Sequence, residues 1–292
     1  MMKPGYHEEK GKMNPRGTLL FFWDYDTQWG AERSRGPGGA KGWGSLEFPN
    51  TDELLDLHAE YAIPACFAVV GAAALPGSRP YQDPAQIRRI HAAGHEVASH
   101  SFRHDWLPGL FGESLMETLR ASRDALEQCT GAPVKTFVPP YNQPFDYPAG
   151  LSFSMSERRE ARGGRTDLRR LCDALGTTGY RFCRVAYRPL PQRLMEFVKT
   201  KRRDRPSRLE TIGPVTCVRL NSPGGFARPS AEIIERCAAE GGIAVVYGHP
   251  HSIHTGNAQD VSLLVPLMKL IRDFRERGTV RTALPRELLG EG

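Results

Sequence analysis

Apolar residues along the chain fall into short runs separated by longer amphipathic stretches. TLLFFWD (18–24), ACFAVV (65–70), HEVAS (95–99), KTFV (135–138), YRFCRVA (180–186), VTCVRL (215–220) and IAVVYG (243–248) read as strands, rich in β-branched and aromatic residues. Between them lie segments with helical spacing. One covers 50–62, opened by an Asn50 or Thr51 cap. Others cover 83–94, closed by Gly94, and 113–129, stopped at Gly131. Two more cover 231–241 and 261–278, the last closed by Gly278. Doubly apolar strands alternating with helices predict an α/β fold with a parallel sheet. About seven strand–helix units in roughly 270 residues fit a (β/α) barrel better than an open sheet. The stretches 35–44 and 140–165 read as loops, the second long enough for an active-site lid.

Composition narrows the picture. The chain has 292 residues, 40% hydrophobic and 25% charged, enough for a large core. No apolar run approaches the roughly 20 residues that span a bilayer. Residues 1–17 are polar, lack the apolar centre of a signal peptide and read as a disordered lead-in. The expectation is a cytoplasmic protein with one domain over 18–286. Six cysteines without a CxxC pair read as reduced thiols and not as a structural zinc site. The net charge of +6 conceals residues 158–208, where 16 Lys or Arg face 5 Asp or Glu. That excess reads as an Arg-rich insertion at about 150–210, suited to an anionic substrate or a membrane face. No nucleic-acid-binding motif accompanies it.

In a parallel barrel, catalytic residues gather where the strands end. Asp24 and Asp26 follow the first strand, His100 and His104 the third, Pro139 to Tyr141 the fourth, and His249 the late strand. In HSFRH (100–104) the two imidazoles are four residues apart. On one helical turn they would share a face and grip one metal ion. Asp26 would complete a three-ligand site, and Asp24, on the same side, would act as general base toward water there. Zinc is the expected ion, with cobalt, nickel or manganese as alternatives. A cation at that place would also relieve the repulsion between the two carboxylates.

These residues resemble the polysaccharide deacetylase family, the carbohydrate esterases with a NodB-homology domain. FFWDYDTQW fits the branch that spaces its aspartates as Asp-x-Asp, with Asp24 in the base position and Asp26 in the metal position. HSFRH matches the His-Ser/Thr-x-x-His motif. VPPY (138–141) keeps Pro140 and Tyr141 of an Arg-x-Pro-Tyr motif, with Val138 at the arginine position. His249 in VVYGHPH matches the final histidine motif. The resemblance implies a distorted, incomplete (β/α) barrel and metal-dependent removal of acyl groups from N-acylated sugars. It also implies a backbone N–H, that of Tyr141, at the oxyanion and a protonated imidazole, assigned to His249, at the leaving amine.

The family's arginine orients the base carboxylate and keeps it charged, which valine does not. Arg184, at the end of a predicted strand, is the first candidate to replace it. The Asp-and-Trp motif that supports the acid histidine in the family has no clear match. His249, His251 and His254 compete for one role, and their spacing does not separate them. Trp29, Trp43 and Trp106 read as loop residues near the site. Trp29 and Trp106, with Pro140 and Arg184, are the expected substrate contacts. His58, His91 and His95 read as surface or packing residues, Cys183 and Cys217 as core, and Tyr25 as facing away from the site. The expected partner is a small N-acylated sugar, anionic or lipid-linked. The alternatives are opening of a cyclic amide, as in allantoinase, or a catalytically degenerate binding protein.

Overall fold

The first apolar run becomes the central strand, β1 (Gly17–Tyr25), in a computed structural model that describes residues 15–35, 42–142, 168–185, 198 and 205–290. Its side chains alternate with period two. Leu19, Phe21, Trp23 and Tyr25 pack outward against the helices, while Leu20 and Phe22 pack inward with Cys66, Ala68, Val138, Phe182, Val218 and Val245. Both faces are dry, so β1 reads as a continuous apolar run. The inward row continues past Phe22 to Asp24 and so ends in a carboxylate.

β2 (Cys66–Val69), β3 (Glu96–Ser99), β4 (Thr136–Phe137), β5 (Phe182–Val185), β7 (Val215–Arg219) and β8 (Gly242–Gly248) all run parallel to β1 in one sheet, as the sequence pattern predicts. Two further strands were not legible. β6 (Leu209–Ile212) pairs antiparallel with β7, and β9 (Val280–Thr282) pairs with the first residues of β1. The sheet curls until Ser207 and Ile243 exchange backbone hydrogen bonds of 2.7 and 2.8 Å. Beside that bridge the Asn221 side-chain amide donates to Ile243 O and accepts from Val245 N, imitating a strand partner. This is a distorted, incomplete (β/α) barrel.

The described helices cover the outside: α1 (Thr27–Arg35), α2 (Trp43–Tyr61), α3 (Pro84–Ala92), α4 (Glu113–Thr130), α5 (Leu168–Thr177), α6 (Arg228–Glu240) and α7 (Val261–Glu276). Asp83 caps α3 through Gln86 N, and Gly131 ends α4 in the left-handed conformation. The second helix differs from its expected limits. It starts at Trp43 and runs through Pro49, so residues 43 and 44 are helical and neither Asn50 nor Thr51 is a cap. The Asn50 side chain instead donates to Pro250 O, and the Thr51 hydroxyl donates back to Glu47 O. These tertiary and i−4 bonds hold the helix across the proline.

Within the stretch read as an Arg-rich insertion, Leu168–Thr177 is a helix whose Leu171, Cys172 and Leu175 enter the main core. Most of the basic stretch, most of the expected lid and the lead-in over 1–14 lie outside the described residues. The end of the barrel away from the site is sealed. The Glu96 carboxylate there accepts from the Thr136 hydroxyl and from Arg286 N, in the turn after β9. No helix among the described residues is long and apolar enough to cross a membrane.

Candidate metal centre

Asp26 lies immediately beyond β1, and the chain turns sharply to place it. Thr27 takes a left-handed φ of 54°, and α1 then starts beneath the aspartate, with Gly30 N donating to Asp26 O at 3.0 Å. A Cβ at position 30 would lie 2.9 Å from Cγ of Asp26 and closer still to its Cβ, so glycine is required for this approach. His100 ends the inward row of β3. HSFRH is not a helical turn, which corrects the spacing argument. It is a tight loop in which Ser101 (φ 62°) and His104 (φ 57°) are left-handed, so the chain doubles back and both rings face Asp26. Gly71 N and Ala72 N hold the loop by donating to Ser101 O and Phe102 O, and Asp105 N donates to Ser101 Oγ.

Six non-glycine residues have positive φ among those described. Thr27, Ser101, His104, Tyr141 and Asn142 lie at this end of the barrel, and only Ala62, a helix C-cap, lies elsewhere. Backbone strain of this kind costs of order 1–3 kcal/mol per residue and persists where the surroundings over-determine it.

His100 Nε2 and His104 Nε2 stand 3.4 and 3.6 Å from Asp26 Oδ1, and the three donor atoms lie within 4.8 Å of one another. All three residues are 3% exposed or less. His100 Nδ1 is 2.7 Å from Val138 O, which can only accept. Nδ1 therefore carries a proton, and Nε2 is the ring nitrogen that faces Asp26. Burial pushes the His104 imidazole down to about 3; burial also raises the Asp26 carboxyl, but the facing histidines outweigh it and hold the group below its ordinary value. Asp26 Oδ1 has no hydrogen-bond partner despite full burial. An orphaned carboxylate oxygen facing two imidazole nitrogens fits a divalent cation, which supplies the missing partner to all three.

Asp24 is buried beside this cluster. Arg184 Nη1 and Nη2 donate to its two oxygens at 2.8 and 2.7 Å, a fork-to-fork pair. Arg184 runs between the rings of Phe22 and Tyr247, 5.1 and 4.6 Å from their centroids, and also donates to Asn142 Oδ1. Burial raises the Asp24 carboxyl, but the Arg184 guanidinium and the neighbouring histidines outweigh it and hold the group below its ordinary value. Arg184 is 2% exposed and committed to these partners, so it is not a surface for substrate, a correction to that expectation. The β4–β5 register pairs Thr136 with Phe182 and Phe137 with Cys183, which places Val138 level with Arg184. The cation lies one strand from the position occupied by Val138.

The three competing histidines separate by their partners. His249 Nε2 lies 3.9 Å from Asp24 Oδ2, whereas His251 pairs with Glu47 at 3.2 Å and His254 with Glu53 at 2.7 Å, both carboxylates on α2. Pro140, Tyr141 and Asn142 form the turn after β4, and the Tyr141 ring packs edge-on to His104 at 4.5 Å. Trp106 packs on Tyr141 at 5.4 Å. Trp29 and Trp43, also expected in loops, are helical. Trp29 lies on α1 between Tyr81 and the Arg103 guanidinium, and Trp43 opens α2 with its ring 3.9 Å from that of His251.

Away from the site, His58 and His95 are buried packing residues, and Cys183 and Cys217 lie in the core. The described cysteines are all free thiols. Sequence reasoning missed Glu47, Asn142 and Gln259. Only Asn142, directly after VPPY, had a local signal.

The parallel (β/α) barrel thus brings two carboxylates and two imidazoles together at its strand ends. Residues 42–149 match the family model for polysaccharide deacetylase. A stretch of 92 residues is 37% identical to a chitooligosaccharide deacetylase of Sinorhizobium fredii (strain NBRC 101917 / NGR234). That match covers 31% of this chain and 40% of the relative, so the chain spans less than half the length of the curated relative it matches.

The fold is similar to a candidate polysaccharide deacetylase from Mycobacterium smegmatis, at a TM-score of 0.57 and 18% identity over 99% of this chain and 93% of the other. It is similar also to PuuE allantoinase, at a TM-score of 0.58 and 16% identity over 98% and 92%.

Proposed function

We propose that this chain is a metal-dependent hydrolase that removes an acyl group, acetyl in the simplest case, from the nitrogen of an amino sugar. The observation that carries this reading is Asp24, a buried carboxylate kept ionised by Arg184, placed between the Asp26–His100–His104 donor set and His249. Asp26, His100 and His104 would hold the cation. Two imidazoles and a carboxylate suit zinc, which when bound supplies Lewis-acid polarisation of an amide carbonyl and acidifies water.

The side chains around that position divide the remaining work. Asp24 takes the proton of the attacking water, and its ion pair with Arg184 keeps it available over the neutral range. The Tyr141 N–H, in the strained turn after β4, stabilises the developing oxyanion. His249 delivers a proton from Nε2 to the leaving nitrogen, because an amine anion is too basic to leave unassisted. The Trp106 ring, packed on Tyr141, offers an apolar face for a sugar ring.

The test is acetate release by the zinc- or cobalt-loaded protein across N-acetylated amino-sugar oligomers, with allantoin as the cyclic-amide control. Acetate release that disappears in Asp24→Asn while metal stays bound supports the reading. Ring opening without acetate release would transfer the chain to cyclic amides. No turnover across the panel, with metal bound, would make it a binding protein.

A further inference from the structure

Gln259 lies on the loop before α7 and meets His249 twice. Its Oε1 is 2.6 Å from His249 N and 3.0 Å from His249 Nδ1. A backbone N–H only donates, so the amide atom facing it is the oxygen and the amide orientation is determined. That oxygen only accepts, so His249 Nδ1 must carry a proton in every charge state. Nε2 is then the atom left facing Asp24, at 3.9 Å. The loop is itself pinned. Gln259 N donates to Asn257 Oδ1, Phe226 N to Ala258 O and Val261 N to Ile253 O.

We infer that Gln259 is the positioning residue of His249: it fixes the Nδ1–H tautomer so that the ring gives and regains its proton only at Nε2. The inference rests on the proposed role of His249 as acid. An amide oxygen is too weakly basic to take the Nδ1 proton, so nothing leaks away from the reacting side. It carries no charge either, so the nearest counter-charge for the imidazolium is Asp24, on the Nε2 side. After proton delivery the neutral ring already has the right tautomer and need not rotate before the next turnover. The arrangement divides what one carboxylate commonly does for a catalytic histidine. Gln259 orients, and Asp24 supplies the charge.

Two measurements on the metal-loaded protein test this. Long-range 15N NMR should show neutral His249 as the Nδ1–H tautomer in the wild type, with loss of that preference in Gln259→Leu and its retention in Gln259→Glu. An Nε2–H tautomer in the wild type, or no change in Gln259→Leu, overturns the inference whatever the activity. In kinetics, Gln259→Leu should lower kcat for an N-acetyl amino sugar on the order of 10²-fold, the low end of general-acid contributions, with KM little changed. It should affect a nitrophenyl acetate, whose leaving group needs no proton, at least tenfold less, and Gln259→Glu should recover most of the loss. Equal losses on both substrates would show a merely structural role. A wild type inactive on every acetamide would defeat the proposed function and leave the NMR result to decide the tautomer.

Discussion

Arg184 on β5 closes both terminal guanidinium nitrogens on the two oxygens of Asp24 at the end of β1, 160 positions away in the chain. This pair decides whether Asp24 is ionised, because the carboxylate has little solvent to turn to. Arg184→Met should therefore leave an uncompensated buried charge and destabilise the fold by about 3–5 kcal/mol. It should also reduce kcat on an N-acetyl amino sugar at least 10²-fold. Because Val138 lies level with Arg184, the double variant Val138→Arg, Arg184→Val should recover part of both losses. Urea unfolding and steady-state kinetics read the two effects. No recovery in the double variant would argue against equivalence of the two positions.

Metal stoichiometry separates the two aspartates. Asp26→Ala and His100→Ala should lose bound zinc, while Asp24→Asn should keep about one ion and lose turnover. Elemental analysis after desalting checks it. Zinc should also raise the unfolding temperature of the wild type, since binding at 1,000 times Kd stabilises by about 4 kcal/mol. Asp26→Ala should show no such rise. Full stoichiometry in both ligand variants would remove the site from Asp26, His100 and His104.

Gly30 tests the placement of Asp26 without touching a donor. A methyl group at this position collides with Asp26 Cβ, and α1 is held against the barrel by Gln28 N donating to Pro80 O. Gly30→Ala should therefore shift the aspartate more than the helix. Zinc affinity, measured by competition with a chelating dye, should fall at least tenfold while the circular dichroism spectrum is retained. Unchanged affinity would mean that the turn at Thr27 is more pliant than its φ implies.

Acid sensitivity should come partly from a histidine remote from the site. His58 accepts from Trp23 Nε1 at 2.7 Å and its Nδ1 faces Ile63 O, also at 2.7 Å, so the neutral ring satisfies both partners. Burial pushes this imidazole down to about 3. Its contribution is full above about pH 6.5, the unfolded value, and declines as pH falls toward 3, because only the unfolded chain gains a proton there. The loss is about 1.4 kcal/mol per pH unit in that window. A glutamine side chain can accept from the tryptophan and donate to the carbonyl without titrating, so His58→Gln should flatten the slope between about pH 6.5 and 4.5. Urea midpoints across that range measure it, and equal slopes would reject the assignment.

The strands facing two dry layers were legible because burial on both faces leaves an uninterrupted apolar run, as in TLLFFWD and IAVVYG. β6 was not, since its residues alternate between exposed and half-buried on the sheet edge. The start of α2 was hidden by Pro49, which suggests a boundary in the sequence. One of the bonds that offset it, from Asn50, goes to Pro250, two hundred residues away. The two imidazoles of HSFRH were legible as a pair. Their real geometry was not, because left-handed Ser101 and His104 are stabilised by Gly71, Ala72 and Ser122 from other segments.

Local pattern alone determined the strand–helix alternation, the end of the barrel at which the candidate site residues gather, and the residue types that could hold a cation. It could do so because side-chain period and strand direction are properties of neighbouring residues. Tertiary structure decided which residues act together. Arg184 reaches Asp24 because curling of the sheet brings β5 opposite β1. His249 is separated from His251 and His254 because α2 offers those two its own carboxylates. Gln259 meets His249 because the loop before α7 folds back over the end of β8. Such pairings depend on distances between segments far apart in the chain, and closure of the barrel sets them.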